Sequence, residues 1–404
     1  MIGIPGSFPG FRFVVRGGMQ TRSFRILHCL RAPVGGLFRH VRDLAREQTL
    51  RGHDVAVLCD SETGDALTEA RLAELADQVS LGLHKVPMSR EIGLADVSAT
   101  TATRQLAADL KADVLHGHGA KGGAYARLAT TALKRSGRTA ACFYTPHGGS
   151  LHYDPKSLKG MAFMAAERHL MGQTDGLIFE SRYAADTFAA KVGAPTCPAR
   201  VIHNGVLREE LQPVQLVSDP VDFIFVGELR HLKGVDVLLA ALACLNKERP
   251  VRAVIAGAGP EEGIFREQAK ALGLAAAVTF PGAVPARAVF PRGRVLVMPS
   301  RAESLPYVAL EAAGAGIPLI ATRVGGVPEI VAGTGTELVE PGDANGLAVA
   351  MRDAMQRPAR AVEMALRLQR NIAERFSVEA MTGGVLGFYA EALPAHACVA
   401  PAGA

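Results

Sequence analysis

Glu303 and Glu311 stand eight residues apart on either side of Ser304-Leu305-Pro306, directly after the apolar run Val295 to Met298. Ser304 can cap a helix, and Pro306 suits a first helical turn, where a missing N–H costs nothing. The unpaired N–H groups around Leu305, together with the dipole of the helix that follows, then form an anion site with room for a diphosphate. If the whole span is helical it rises about 12 Å, the length of a sugar-diphosphate-ribose unit. A carboxylate at each end can accept the hydroxyl hydrogen bonds of such a ligand. Taken alone, the pair also fits a helix start with two incidental glutamates.

Lys233 falls in the loop after the strand-like run Asp222 to Val226 and Gly227, where an ammonium can meet phosphate charge. Gly35-Gly36 follows the first strand-like run, Arg25 to Leu30. It serves either a backbone that must approach a ligand closely or a turn that needs a positive φ. His40, one turn later, reads as structural. His147, in Thr145-Pro146-His147-Gly148-Gly149, ends another strand and is expected on the cleft side. His116 and His118 also end a strand; they are expected to diverge, so that at most one reaches the cleft, and no third ligand for a metal is evident. The chain holds no Asp-x-Asp to carry a divalent ion on a diphosphate. Lys233 and a helix terminus would have to stabilise the leaving group instead, so no metal and no cofactor is expected.

The elements that must position these groups alternate between strand and helix throughout, which predicts parallel sheets with helical crossovers. At 404 residues the chain is long enough for two cores. The organisation expected is a tail at 1–24, a Rossmann-like domain at 25–210, a Pro-containing linker at 211–221, a second Rossmann-like domain at 222–375, a C-terminal helix at 376–394 packing back on the first domain, and a tail at 395–404. The fold class is α/β, with two Rossmann-like domains facing across a cleft, and ligands are expected at the carboxyl ends of the strands. Residues 61–104 offer no interpretable pattern.

Several segments, in order, resemble the retaining glycosyltransferases of family 4. They are Glu303 to Glu311 with the intervening Ser-Leu-Pro, then Gly314, Pro318 and Thr322-Arg323-Val324-Gly325-Gly326-Val327-Pro328-Glu329-Ile330. The resemblance runs from about residue 25 to about 385. It implies the GT-B fold and transfer of a sugar from a nucleotide diphosphate sugar to an acceptor hydroxyl with retention of configuration. It also implies a front-face route in which the leaving phosphate takes the acceptor's proton. By the same resemblance Glu303 holds donor-sugar hydroxyls, Glu311 holds the ribose, and the Gly35-Gly36 loop lies against phosphates and sugar. His147 contacts the sugar near the reacting carbon, and Asn204 belongs to an Asn-Gly segment near the interdomain cleft. One departure stands out: the family Arg expected after Gly227 is Glu228 here, with Arg230 as its candidate substitute.

Composition sets the remaining bounds. A net charge of +5 from 44 basic and 39 acidic residues permits an anionic partner without naming one, and nucleic acid is not expected. The six cysteines show no framework or zinc spacing, which reads as reduced thiols in the cytoplasm. The basic, Met-rich stretch from Lys156 to Gly172 suits either an interfacial helix at the inner membrane surface or core packing. The acceptor expected is a sugar, a lipid-linked molecule or a small molecule, in cell-surface polysaccharide or glycolipid synthesis. The competing activities are a nucleotide-sugar epimerase of the same fold, an NAD-linked oxidoreductase suggested by Gly257-Ala258-Gly259, and a non-catalytic sugar-nucleotide sensor. In the oxidoreductase reading, Pro260, Glu261 and Glu262 put acid where pyrophosphate would lie.

Overall fold

The computed structural model describes residues 23–64, 66–91 and 93–393. Apart from Ser23 and Phe24, the tails expected at 1–24 and 395–404 lie outside the described residues. The first half runs β1 (Arg25–Leu30), α1 (Gly35–Leu50), β2 (Asp54–Asp60), α2 (Ala66–Gln78), β3 (Leu83–Val86), α3 (Ala95–Asp109) and β4 (Val114–His118). It continues with α4 (Gly119–Arg135), β5 (Ala141–Thr145), α5 (Leu158–Met171), β6 (Gly176–Phe179), α6 (Arg182–Lys191) and β7 (Ala199–Val201). The second half runs β8 (Val221–Val226), α7 (Val235–Glu248), β9 (Ala253–Ala256), α8 (Glu262–Ala271), β10 (Val278–Thr279), α9 (Ala286–Val289) and β11 (Gly293–Met298). Then come α10 (Tyr307–Gly314), β12 (Leu319–Thr322), α11 (Val327–Val331), β13 (Leu338–Val339), α12 (Ala344–Gln356), α13 (Pro358–Arg375) and α14 (Val378–Ala392).

Two all-parallel sheets result. One has seven strands in the order β3-β2-β1-β4-β5-β6-β7 and the other six in the order β10-β9-β8-β11-β12-β13. Helices cover both faces of a parallel sheet, which is why the central strands are apolar without alternation: β1, β4 and β5 are buried almost end to end. In each sheet the winding reverses once, between β1 and β4 in the first and between β8 and β11 in the second. The loops leaving adjacent strands diverge at such a point and leave a crevice at the strand ends.

The helix expected at 376–394 is α14, set off from α13 by a break. The break falls at Phe376-Ser377, where Ser377 Oγ accepts from the Ala380 N–H and caps α14. Val206 is hydrogen-bonded on both sides of the break, its N–H donating to Phe376 O and its carbonyl accepting from Val378 N. Beyond it, Val378, Met381, Val385, Phe388 and Tyr389 form one stripe of α14 at helical spacing and join the core made by β1, β5 and α1. Each such side chain contributes about 1.5–3 kcal/mol by leaving water. α14, the last helix among the described residues, is thus part of the first domain's core.

Candidate active site at the facing switch points

Both reversal points carry the residues singled out by their chemistry. Gly35 and Gly36 leave β1, His118 ends β4, Gly227 and Lys233 follow β8, and Ser300 to Pro306 follow β11. A cavity of about 400 Å³ lies where these loops meet. Its walls include Gly35, Gly36, His147 and Asn204 from the first domain and Lys233, Glu303, Ser304, Leu305 and Pro306 from the second. A larger hollow of about 500 Å³ opens beside the edge strand β13, between α12 and α13. It gathers none of these groups, so volume alone does not locate the chemistry.

Glu303 is fixed before any ligand arrives. Its Oε1 accepts from Lys233 Nζ at 2.7 Å and from Ser300 Oγ at 2.7 Å, with 9% of the side chain exposed. Behind it, Gly325 adopts φ +54°, and a Cβ there would run into the Glu303 carbonyl oxygen. The Gly326 N–H donates to Ser304 O at 2.6 Å. The Gly-Gly pair of the 322–330 motif is therefore the bed on which the Glu303 loop rests, and a side chain at Gly325 would lift the loop off it.

The helix start differs from the expectation in two respects. Pro306 is extended, at φ −74° and ψ 121°, and precedes the helix rather than filling its first turn. Ser304 does not cap; its Oγ donates to Glu180 Oε1 of the first domain at 2.5 Å. Competition from a buried carboxylate across the cleft explains the change, since a charge-assisted bond outweighs a cap. The Glu303–Glu311 span is accordingly half loop, and the 12 Å helical rise does not apply to it. Residues 305–308 still line the cavity at the start of α10, so its free N–H groups remain available to an anion.

Glu311 is not among the residues that line the cavity; it is paired across the domains with Arg39. The Arg39 guanidinium also binds Glu210 at 2.5 Å and Asp43 at 3.3 Å, and lies over the Tyr307 ring at 4.4 Å. Asn204 is buried between domains, its Oδ1 accepting from His40 Nδ1 at 2.9 Å and its Nδ2 donating to Leu305 O at 3.2 Å. Arg230 is not among the cavity residues; its half-exposed side chain sits 3.4 Å from Glu228. Gly35 has φ +66° and open space around it, whereas a Cβ on Gly36 would make ordinary contact with Tyr307. The turn thus needs the first glycine, and both stand at the cavity wall.

His116 and His118 correct the expectation outright. Alternate residues of a strand share a face, and the two rings lie 4.0 Å apart, centroid to centroid. His28, His40 and His147 join them. His28 Nδ1 contacts His118 Nε2 at 3.0 Å, and His118 Nδ1 contacts His147 Nε2 at 3.1 Å. Third ligands that the sequence left invisible are therefore present in space. Burial strips these rings of the water that would stabilise a proton. It brings His28 down to about 4 despite its hydrogen bond to Gln48, and His147 to about 3. His40, His116 and His118 fall well below the usual histidine range, through burial first and then neighbouring rings. His147 itself has φ +49°, a left-handed conformation that non-glycine residues rarely adopt.

Glu180 and Arg39 were absent from the expectations. Neither belongs to a motif with a local signature; each acquires its place only when the two domains face one another. The Gly257-Ala258-Gly259 loop has a packing role: Cβ atoms at Gly257 and Gly259 would collide with the carbonyls of Gly227 and Leu229. Its glycines hold the Lys233 loop close.

Known proteins resemble this chain in sequence and in fold. Residues 34–210 match the family model "Glycosyltransferase Family 4", and residues 220–357 match "Glycosyl transferases group 1". Glycogen synthase from Mycobacterium tuberculosis is 28% identical over 365 residues, covering 85% of this chain and 88% of that protein. D-inositol 3-phosphate glycosyltransferase from Streptomyces avermitilis is 32% identical over 260 residues, or 58% of this chain and 56% of that one. The crystal structure of Anabaena HepE in complex with UDP-glucose superposes with a TM-score of 0.74 at 19% identity, covering 92% of this chain and 99% of that one. With two parallel Rossmann-like sheets opposed across a cleft and both halves matched in order, the chain belongs to glycosyltransferase family 4 and has the GT-B fold.

Proposed function

We propose that this glycosyltransferase moves a sugar from a nucleotide diphosphate sugar to an acceptor hydroxyl with retention, using protein groups alone to neutralise the departing diphosphate. The observation that carries this reading is the Lys233–Glu303 pair at 2.7 Å beside the start of α10. A cation, a carboxylate and unpaired N–H groups, all aimed into one cavity, match the three parts of such a donor at the bond that breaks. On donor entry Lys233 turns to the diphosphate, and Glu303 exchanges the ammonium for sugar hydroxyls while keeping Ser300. Glu311 takes the ribose hydroxyls as its pairing with Arg39 loosens. His147 stands against the sugar as a neutral ring, so it adds no positive charge where the oxocarbenium develops. The acceptor attacks from the face the diphosphate leaves, and a phosphate oxygen takes its proton.

The family membership favours this reading over an epimerase, and the packing role of Gly257 and Gly259 removes the feature that suggested nicotinamide binding. The HepE complex puts UDP-glucose first among donors to try. For the acceptor, we favour a lipid-linked or surface-polysaccharide substrate met at the inner face of a membrane. Among the described residues no helix is long and apolar enough to cross one. The start of α5 nevertheless presents Leu158 (87% exposed) and Met161 (56%) beside the basic Lys156 and Lys159. Lys159 reaches to 3.9 Å from Glu91 in the loop that leads to the exposed Leu94 (90%). The other face of α5 buries Met164 and Met171 in the core, so only its exposed start supports the interfacial role. Co-flotation with anionic but not zwitterionic liposomes tests the docking.

The functional test is a thermal-shift panel of UDP-, GDP- and ADP-sugars followed by turnover. A donor present at 100 times its Kd should add about 2.7 kcal/mol of stability. Lys233→Ala and Glu303→Gln should each lower kcat by about 100- to 1,000-fold, the scale of losing one aligned electrostatic partner. No shift with any nucleotide sugar, or near-normal turnover in either variant, overturns the proposal.

A further inference from the structure

The five-histidine cluster at the floor of the cleft is not used by the transfer chemistry beyond His147. One ring nitrogen from each of His40, His118 and His147 lies within 4.8 Å of the other two. The geometry points to these three residues as a binding site for a late first-row divalent cation, of which Zn2+ is the representative; an ion held there takes His147 away from the sugar, so the loaded form is the inactive one.

The hydrogen-bond pattern prepares the lone pairs. Gln48 Oε1 accepts from His28 Nε2 at 2.7 Å, which leaves His28 Nδ1 to accept from His118 Nε2 at 3.0 Å. His118 must then present an unprotonated Nδ1 towards His147. His40 gives its Nδ1 proton to Asn204, and its Nε2 is buried without a hydrogen-bond partner. That orphan nitrogen is a second, separate sign of a missing partner, because a buried polar atom left unpaired is costly. His147 donates Nε2–H to His118 Nδ1 at 3.1 Å. Metal binding needs that nitrogen bare, and moving its proton to Nδ1 of the same ring supplies the lone pair with no net proton release.

Distances and surroundings agree. Ligand nitrogens about 2.0–2.1 Å from tetrahedral zinc stand roughly 3.3 Å apart, close to the His118–His147 separation of 3.1 Å. His40 then closes by at most about 1.5 Å, a side-chain adjustment. Asn204 behind His40, and His28 with Gln48 behind His118, supply the outer hydrogen bonds that orient metal-bound imidazoles. Already neutral, the rings need shed no proton to bind. His28 and His116 serve less well as ligands, because both ring nitrogens of each are engaged: those of His28 by His118 and Gln48, and those of His116 by Tyr389 Oη at 2.6 Å and Thr145 Oγ1 at 2.8 Å. His147 is the member of the chosen three that lines the cavity, and it gives an ion its way in.

The test is titration of the full-length, tag-free protein with Zn2+, Co2+ and Mg2+ by calorimetry, with the Co2+ form read by visible absorption. We expect one Zn2+ per chain, intense four-coordinate Co2+ bands and no uptake of Mg2+, a cation that prefers oxygen. His40→Gln and His118→Gln should each weaken Zn2+ binding by at least about 100-fold, and Asn204→Ala by about 10-fold or more. His169→Gln, on the exposed face of α5, should bind as the parent does. Melting curves identify any variant that fails to fold, and the Co2+ spectrum of the parent still decides the matter then. Absence of stoichiometric Zn2+, six-coordinate Co2+ bands, or equal affinity in His40→Gln and the parent overturns the site.

Discussion

Replacing Gly325 by Ala isolates the positioning of Glu303 from its chemistry, since no charged group is touched. Two costs arise. At φ +54° an L-residue loses roughly 1–2 kcal/mol against the extended or right-handed regions. The added methyl would also lie far inside van der Waals contact of the Glu303 carbonyl, so the loop must shift by more than about 1 Å to admit it. A displacement of that size at a group that must meet the substrate costs about 100-fold in rate. Gly273→Ala provides the reference: its φ is +71° and nothing lies within 4 Å of the new methyl, so it carries the backbone cost without the collision. Gly273→Ala should lower Tm by roughly 2–8 °C, from the backbone cost and about 2–4 °C per kcal/mol for a domain of this size, and Gly325→Ala by at least as much. Only Gly325→Ala should lose about 100-fold in kcat/KM. Calorimetry and a coupled nucleotide-release assay measure the two quantities. Turnover of Gly325→Ala within a few-fold of Gly273→Ala would refute the claim that the Gly-Gly bed positions Glu303.

Two further outcomes follow from buried or cross-domain charge. Burial raises the Glu329 carboxyl, but hydrogen bonds from His203 and from the backbone N–H groups of Arg182 and Tyr183 outweigh it and hold the carboxyl below its usual value. Its contribution is present above the unfolded value of about 4.3 and is lost as pH falls through the depressed folded value. Urea midpoints of the parent and Glu329→Gln should therefore differ at pH 7 and converge in acid; a constant gap would sink the linkage. Arg127→Met should cost about 3–5 kcal/mol, because it removes the guanidinium that balances the buried Glu167 carboxylate at 2.9 Å. Arg127→Met with Glu167→Met should recover most of that loss, and failure to do so in urea melts would show that packing, not charge, sets the cost.

The family, the fold class and the Glu303 and Lys233 loops were legible in the chain itself. Strand-helix alternation and loop glycines are local, and a motif such as 300–311 keeps its helix-start chemistry wherever it is placed. Residues 61–104 were not legible: α2 and α3 are weakly patterned helices, and tertiary contacts rather than propensity decide them. The same holds for what crosses the cleft. Ser304 reads as a cap until Glu180 arrives from the other domain, Arg39 has no motif until Glu311 faces it, and α10 cannot show by spacing that Pro306 stays extended. The histidines make the sharpest case. His28, His40, His116, His118 and His147 are spread over 120 positions of sequence with nothing local to link them. Parallel pairing of β1 with β4 and of β4 with β5 sets His28 beside His116 and His118 beside Thr145, two residues before His147. Each residue's own chemistry could be read from the chain, because it depends on atom types and near neighbours; which groups share a cavity depended on strand order and domain facing, which are properties of long-range packing.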